Sequence, residues 1–103
     1  MFGTSRIKQY QRMIETDGFD EAAHYRLATE YLKDGRYVEA AAKFRRAVEL
    51  NPEYLEAWRG LGDAYKLAGV HKEAIAAWKT GRDVAGRLKR TLFAQQMEAL
   101  LRQ

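Results

Sequence analysis

The sequence predicts an all-α protein, an antiparallel helix–turn–helix solenoid of about six helices in one domain over residues 1–103. Two observations carry this. The chain repeats itself at a spacing of 34 residues: Leu27/Leu61, Tyr31/Tyr65, Gly35/Gly69, Glu39/Glu73, Ala40/Ala74 and Ala42/Ala76 are identical pairs, and Phe44/Trp78 exchanges one large aromatic for another. A fixed period of this size marks stacked helical pairs, each burying its apolar face on its neighbour. Within each unit, apolar residues recur every three to four positions, the spacing of one helix face, between breaks at glycine and proline.

Composition narrows the class. Hydrophobic residues make up 47% and charged residues 31% of the 103, which is enough apolar surface for a packed core. A chain of this length buries roughly 60–70% of the surface its unfolded state exposes. The absence of cysteine excludes disulfides, thiolate zinc sites and thiol catalysis. Met1 to Gln11 lacks the apolar stretch and cleavage site of a signal peptide. No run approaches the roughly 18 apolar residues of a membrane helix. The expected location is therefore the cytoplasm, with no membrane partner. The net charge of +4 hints at acidic partners.

Taken in order, residues 5–16 predict a helix capped by Thr4 or Ser5, with Ile7, Tyr10 and Ile14 on its apolar face. In the 34-residue register Tyr10 falls where Phe44 and Trp78 fall. Residues 5–20 thus read as a half repeat that covers one end of the stack. The first full repeat is 21–54. Asp20 caps its first helix, about 21–33, with Ala23, His24, Leu27, Ala28 and Tyr31 inward, and Gly35 ends it in a left-handed turn. Its second helix, about 37–50, turns Tyr37, Ala40, Ala41, Phe44, Ala47 and Val48 inward. Asn51-Pro52 is expected to stop that helix and start the next. The second repeat, 55–88, has a first helix at about 53–67 with Tyr54, Ala57, Trp58, Leu61, Gly62 and Tyr65 inward, and a second at about 71–84 with Ala74, Ile75, Ala77, Trp78 and Val84 inward. Ala28, Gly62, Ala40 and Ala74 are small so that helices can approach closely. Gly86-Arg87 is the expected turn into a closing helix at 89–102, with Phe93, Met97, Leu100 and Leu101 on one stripe. Leu88 and Leu92 lie off that stripe and could pack in the turn or remain exposed.

These residues resemble the tetratricopeptide repeat (TPR) family over almost the whole chain. Tyr31, Gly35, Ala40, Phe44, Ala47 and Pro52 fit its pattern in one repeat. The endings Ala77-Trp78-x-x-Gly81-x-x-Val84-Ala85 and Met97-x-x-Leu100-Leu101 are similar to small bacterial stand-alone members with a half repeat, two repeats and a closing helix. His24 departs from the pattern, where a large residue such as Trp58 is usual. Gly81 replaces the usual alanine and Gly86 the usual proline.

The resemblance implies a non-enzymatic scaffold that binds a peptide or protein in a concave groove lined by the first helix of each repeat. By position, Tyr25, Arg26, Thr29 and Lys33 of the first repeat and Glu56, Arg59, Asp63 and Lys66 of the second would line it. Tyr25 would be the exposed apolar anchor, and Arg26 and Arg59 would hold carboxylates. The same residues also read as an ordinary solvated helix face. The positions where chaperone-binding members clamp a C-terminal carboxylate hold Tyr25, Thr29 and Gly60, so no such clamp is expected. Two other readings stand beside this one. One is homo-oligomerisation through a seam at Leu88 and Leu92. The other is an anionic partner such as nucleic acid on Lys43, Arg45, Arg46, Lys72, Lys79, Arg82, Arg87, Lys89 and Arg90; no aromatics interleave with these, which disfavours it. No catalytic constellation, metal site or cofactor is expected. His24 lies on an inner stripe and reads as a core residue, and His71 as a surface residue at a helix start. Gly60-Leu61-Gly62 lies inside a helix and so is not a phosphate loop.

Overall fold

The computed structural model describes the backbone of residues 2–103 and the side chains of residues 5–103. It contains six helices: α1 (Phe2–Thr16), α2 (Glu21–Lys33), α3 (Tyr37–Leu50), α4 (Leu55–Leu67), α5 (His71–Arg87) and α6 (Thr91–Leu101). There is no strand among the described residues. Each helix packs on the next in chain order, and α2 also packs on α4. The predicted all-α solenoid is thus the observed fold.

Local chemistry sets most helix ends. The Asp20 carboxylate accepts from the Ala23 amide at 3.1 Å, which satisfies one of the free donors at the start of α2. Gly35 and Gly69 stand at φ +75° and +83°. There the Arg36 amide donates to the Tyr31 carbonyl at 2.9 Å and the Val70 amide to Tyr65 at 2.8 Å, closing α2 and α4 with the six-residue bond of a Schellman turn. The inward stripes largely follow the periodicity: Ala23, His24, Leu27, Ala28 and Tyr31 of α2 and Ala40, Ala41, Phe44, Ala47 and Val48 of α3 are buried, while Tyr37 at the start of α3 is half-buried.

Four boundaries and two burial expectations differ from the sequence reading. α1 begins at Phe2, so Ser5 lies inside it; the expected Thr4 cap lies outside the described side chains. Asn51-Pro52 does not start α4. The Asn51 side chain accepts from the Glu53 amide at 3.1 Å, so Pro52 sits in a turn and α4 begins at Leu55. Gly86 and Arg87 are helical, and the turn follows them. It has the same backbone bond as the two glycine turns, Arg90 amide to Ala85 carbonyl at 2.8 Å, but Lys89 holds the left-handed position at φ +58°. The closing helix therefore starts at Thr91 and not at 89. Trp58 is only half-buried. Ile75 is 44% exposed: α6 stops at Leu101 and leaves it on the rim of a hollow shared with Leu100 and Leu101.

The lengthened α5 and shortened turn move α6 by two residues relative to the 34-residue register. Phe93, Met97, Leu100 and Leu101 consequently stand 36 residues after Ala57, Leu61, Ala64 and Tyr65, and all four face inward as their counterparts do. Leu92, which follows Trp58 by 34, is left 70% exposed.

Close approach is concentrated on α4. A Cβ on Gly62 would lie 2.2 Å from Nε1 of Trp78, and one on Gly60 would lie 2.4 Å from the Phe44 ring. Gly81 likewise leaves room for Trp58 and Phe93. Trp78 is 4% exposed and its indole N–H is engaged with Asp63, so it has no room to yield. Gly62→Ala is expected to lower stability by about 1–3 kcal/mol through overpacking. Gly86→Ala, on a helical glycine with nothing within 4 Å, is expected to raise it by about 0.5–1 kcal/mol. Urea denaturation of the two variants beside the parent checks both signs.

Candidate functional site

Because α2 and α4 pack directly while a cleft holds α3 and α5 apart, the face of the first helices is the concave one. All eight expected groove residues lie on α2 or α4. Arg26, Lys33, Glu56, Arg59 and Lys66 are exposed. The closing helix touches α4 at both ends, where Leu55 packs on Phe93 and Ala94 and Lys66 donates to the Gln103 side chain at 3.0 Å. It stands beside these charged groups and leaves them uncovered.

Side-chain contacts divide the eight into engaged and unengaged groups. Tyr25 is not the exposed anchor that position alone suggests. Its ring is half-buried, edge-on to Phe44 at 5.7 Å and 5.0 Å from Tyr54, because the wedge of Phe44 between α2 and α4 draws it inward. The Thr29 hydroxyl donates to the Tyr25 carbonyl at 3.0 Å. Lys33 pairs at 3.6 Å with the buried Glu30, which Arg6 also reaches at 3.4 Å, tying α1 to α2. Arg59 stands 3.7 Å from Asp63, and Asp63 accepts from the Trp78 indole at 3.2 Å, below the Lys66 ammonium. Arg26 and Glu56 make no ion pair among the described residues. Gly60, read as a groove position, instead lies under the Phe44 ring.

The structure also holds a feature the sequence reading did not find. On the convex side a cleft of about 500 Å³ opens between α3 and α5, floored by Trp58, Leu61 and Tyr65 of α4. A smaller counterpart of about 380 Å³ lies between α1 and α3 over Leu27 and Tyr31. The two repeat at 34 residues, down to the hydroxyls: Gln11 donates to Tyr31 at 3.0 Å and Arg45 donates to Tyr65. Lys43 lines the smaller cleft where Ala77 lines the larger. That exchange puts a cation in the smaller cleft, and Pro52 and Trp58 add apolar surface to the larger that Gly18 and His24 do not supply to the smaller.

The same register explains His24. Its ring Nε2 lies 3.0 Å from the Gly18 carbonyl, as the Trp58 indole donates to the Pro52 carbonyl at 2.7 Å, and both pairs are 34 residues apart. His24 is a buried packing residue, as its stripe indicates, with Nδ1 unpartnered among the described residues. His71 is exposed at the start of α5. Of the basic residues on the second helices, Arg46 pairs with Glu49, and Arg82 with Asp83 and Glu98. Among the described residues no three His, Cys, Asp or Glu side chains gather as a metal would need, and no helix is long and apolar enough to cross a membrane.

Burial pushes the Asp63 carboxyl above the ordinary carboxylate range, against the partial relief of Arg59 and the Trp78 indole. A carboxyl raised in this way binds its proton more tightly folded than unfolded. Its charged form therefore costs stability at neutral pH, and the cost is lifted as pH falls through the raised value. Asp63→Asn keeps an oxygen for the indole and loses only a long, half-exposed ion pair. The variant is expected to match or exceed the parent in stability at pH 7, and the gap should close towards about pH 4. Denaturation across that range tests the sign, and a variant weaker at pH 7 would show that Arg59 and the indole outweigh burial.

Comparison with known proteins agrees with this geometry. A family model described as tetratricopeptide repeat matches residues 25–79. The TPR repeat-containing protein PA0015 of Pseudomonas aeruginosa is 34% identical over 76 residues, covering 73% of this chain and 71% of that protein. A chloroplastic tetratricopeptide repeat domain-containing protein of Arabidopsis thaliana, PYG7, is also 34% identical over 59 residues, 54% of this chain but only 20% of that protein. Among solved structures, the TPR2B domain of yeast Sti1 superposes with a TM-score of 0.84 at 20% identity, over 92% of this chain and 76% of that one. MamA superposes with a TM-score of 0.79 at 22% identity, over 85% of this chain and 48% of that one. The chain belongs to the tetratricopeptide repeat family.

Proposed function

We propose that this protein is a non-enzymatic interaction scaffold and that its concave face binds a peptide or protein segment. The observation that carries the reading is the charge arrangement on that face. Arg26 and Glu56 stand exposed without ion partners among the described residues, on a helix pair fixed by the buried core beneath them. Arg59 and Lys66 hold only long or neutral contacts that a ligand carboxylate could replace. An exposed guanidinium loses side-chain freedom when it engages a carboxylate, but its planar fork makes two hydrogen bonds for that loss. The Sti1 domain of similar fold is known as a complex with pHsp70, which supports a peptide as the ligand class. An anionic partner is the competing reading, and the pairing of Arg46 and Arg82 with nearby acids weakens it; self-association would use other surfaces and does not exclude a ligand on this face.

The test is an affinity pull-down from native cell extract with the parent and with the double variant Arg26→Glu/Arg59→Glu. Both side chains are exposed, so the variant should retain its helical circular dichroism. A partner captured by the parent and lost from a folded double variant is the expected result. A partner retained by the double variant would remove the site from this face.

A further inference from the structure

We propose that the cleft between α3 and α5 receives the α5–α6 corner of a second copy of this chain. The cleft joins an apolar floor to a rim of two acids, Glu49 and Glu73, and one base, Arg45, whose guanidinium is held on the Tyr65 hydroxyl and ring. Glu73 makes no ion pair among the described residues, and Glu49 meets only Arg46, at 3.6 Å. The corner is the complement of this surface. Leu88 and Leu92 are 36% and 70% exposed there, and Arg87, Lys89 and Arg90 around them are exposed and without ion pairs among the described residues. The left-handed Lys89 keeps the turn to three residues, so cations and leucines project from one tight bend. Glu56 borders the shallow hollow beside this bend yet pairs with none of its cations.

The two surfaces cannot meet within one molecule. α5 contributes Thr80 to the cleft and Arg87 to the corner, and the rigid helix between them spans about 10 Å. The contact is therefore heterologous, joining different patches on two copies, and each added copy brings a free cleft and a free corner. One corner in one cleft is a small contact of the weak, transient kind, so association should depend on concentration. Of the concave-face residues only Glu56 borders the corner, and neither Arg26 nor Arg59 does, so this inference and the Arg26→Glu/Arg59→Glu test of the groove can fail independently.

Light scattering tests it with five samples: the parent, Glu73→Lys, Arg90→Glu, an equimolar mixture of those two variants, and Leu92→Ser. All three substitutions are on exposed side chains, and circular dichroism confirms folding. The parent should rise above its 11.9 kDa chain mass as concentration approaches about 1 mM, while each variant alone stays at that mass. The mixture should form complexes of twice that mass or more. The intact corner of the Glu73→Lys copy fits the intact cleft of the Arg90→Glu copy, and where the two altered surfaces meet both charges are reversed together, so opposite charges face each other there as well. Leu92→Ser should weaken the parent's association about tenfold or more by removing an exposed leucine that the contact buries. A parent that remains at 11.9 kDa throughout overturns the proposal. So do variants that associate as strongly as the parent, or a mixture that fails to pair.

Discussion

Two aromatic rings hold α4 from opposite sides, and the rest of the molecule is arranged around that grip. Phe44 reaches from α3 onto Gly60, and Trp78 reaches from α5 onto Gly62. Two interior glycines cost a helix about 1 kcal/mol each relative to alanine, and the rings then occupy the volume that any side chain there would fill. With its position fixed, α4 presents three faces at once. Its glycines take the rings, Arg59, Asp63 and Lys66 look onto the concave side, and Trp58, Leu61 and Tyr65 floor the convex cleft. A small displacement of α4 would change both candidate surfaces together.

The second helices show how a repeat is adapted to be the last in a row. α3 ends at Leu50 and passes into an Asx turn, while α5 continues to Arg87 and closes with a Schellman turn like those inside the repeats. Holding Lys89 left-handed costs roughly 1 kcal/mol. In exchange α6 drops its larger Phe93 into the space beside Gly81, where the earlier repeats carry alanines at 23 and 57. The ring N–H contacts that join His24 to Gly18 and Trp58 to Pro52 have no third counterpart, because Leu92 has no donor and Gly86 is helical.

The fold was legible because two of its signals are local. A buried stripe at helical spacing and a glycine where φ must be positive are both written in consecutive residues, so α2 to α5 could be placed within about two residues at most ends. The turn into α6 was misplaced because its left-handed residue is a lysine, which carries no such signal, while Gly86 suggested a break and instead sits in a helix. On the concave face, helix periodicity identified which residues share a side. It could not show that Phe44 pulls Tyr25 inward, or that Asp63 serves the Trp78 indole and Lys66 meets Gln103, since those partners are 19, 15 and 37 residues apart. The convex cleft was missed for a related reason. Trp58, Leu61 and Tyr65 read as core, and spacing indicates the face a residue takes without indicating whether neighbouring helices close over it.

The two tryptophans, the only ones in the chain, end up in opposite surroundings. Trp78 is sealed in the core with its N–H on a carboxylate that reaches the concave face, and Trp58 lies half-open in the convex cleft. Each indole therefore reports on a different side of the molecule without any label. Emission from Trp78 should be short-wavelength, shielded from dissolved quenchers and sensitive to the ionisation of Asp63, whereas emission from Trp58 should be longer-wavelength and readily quenched. Steady-state fluorescence alone can then tell on which side a ligand has settled.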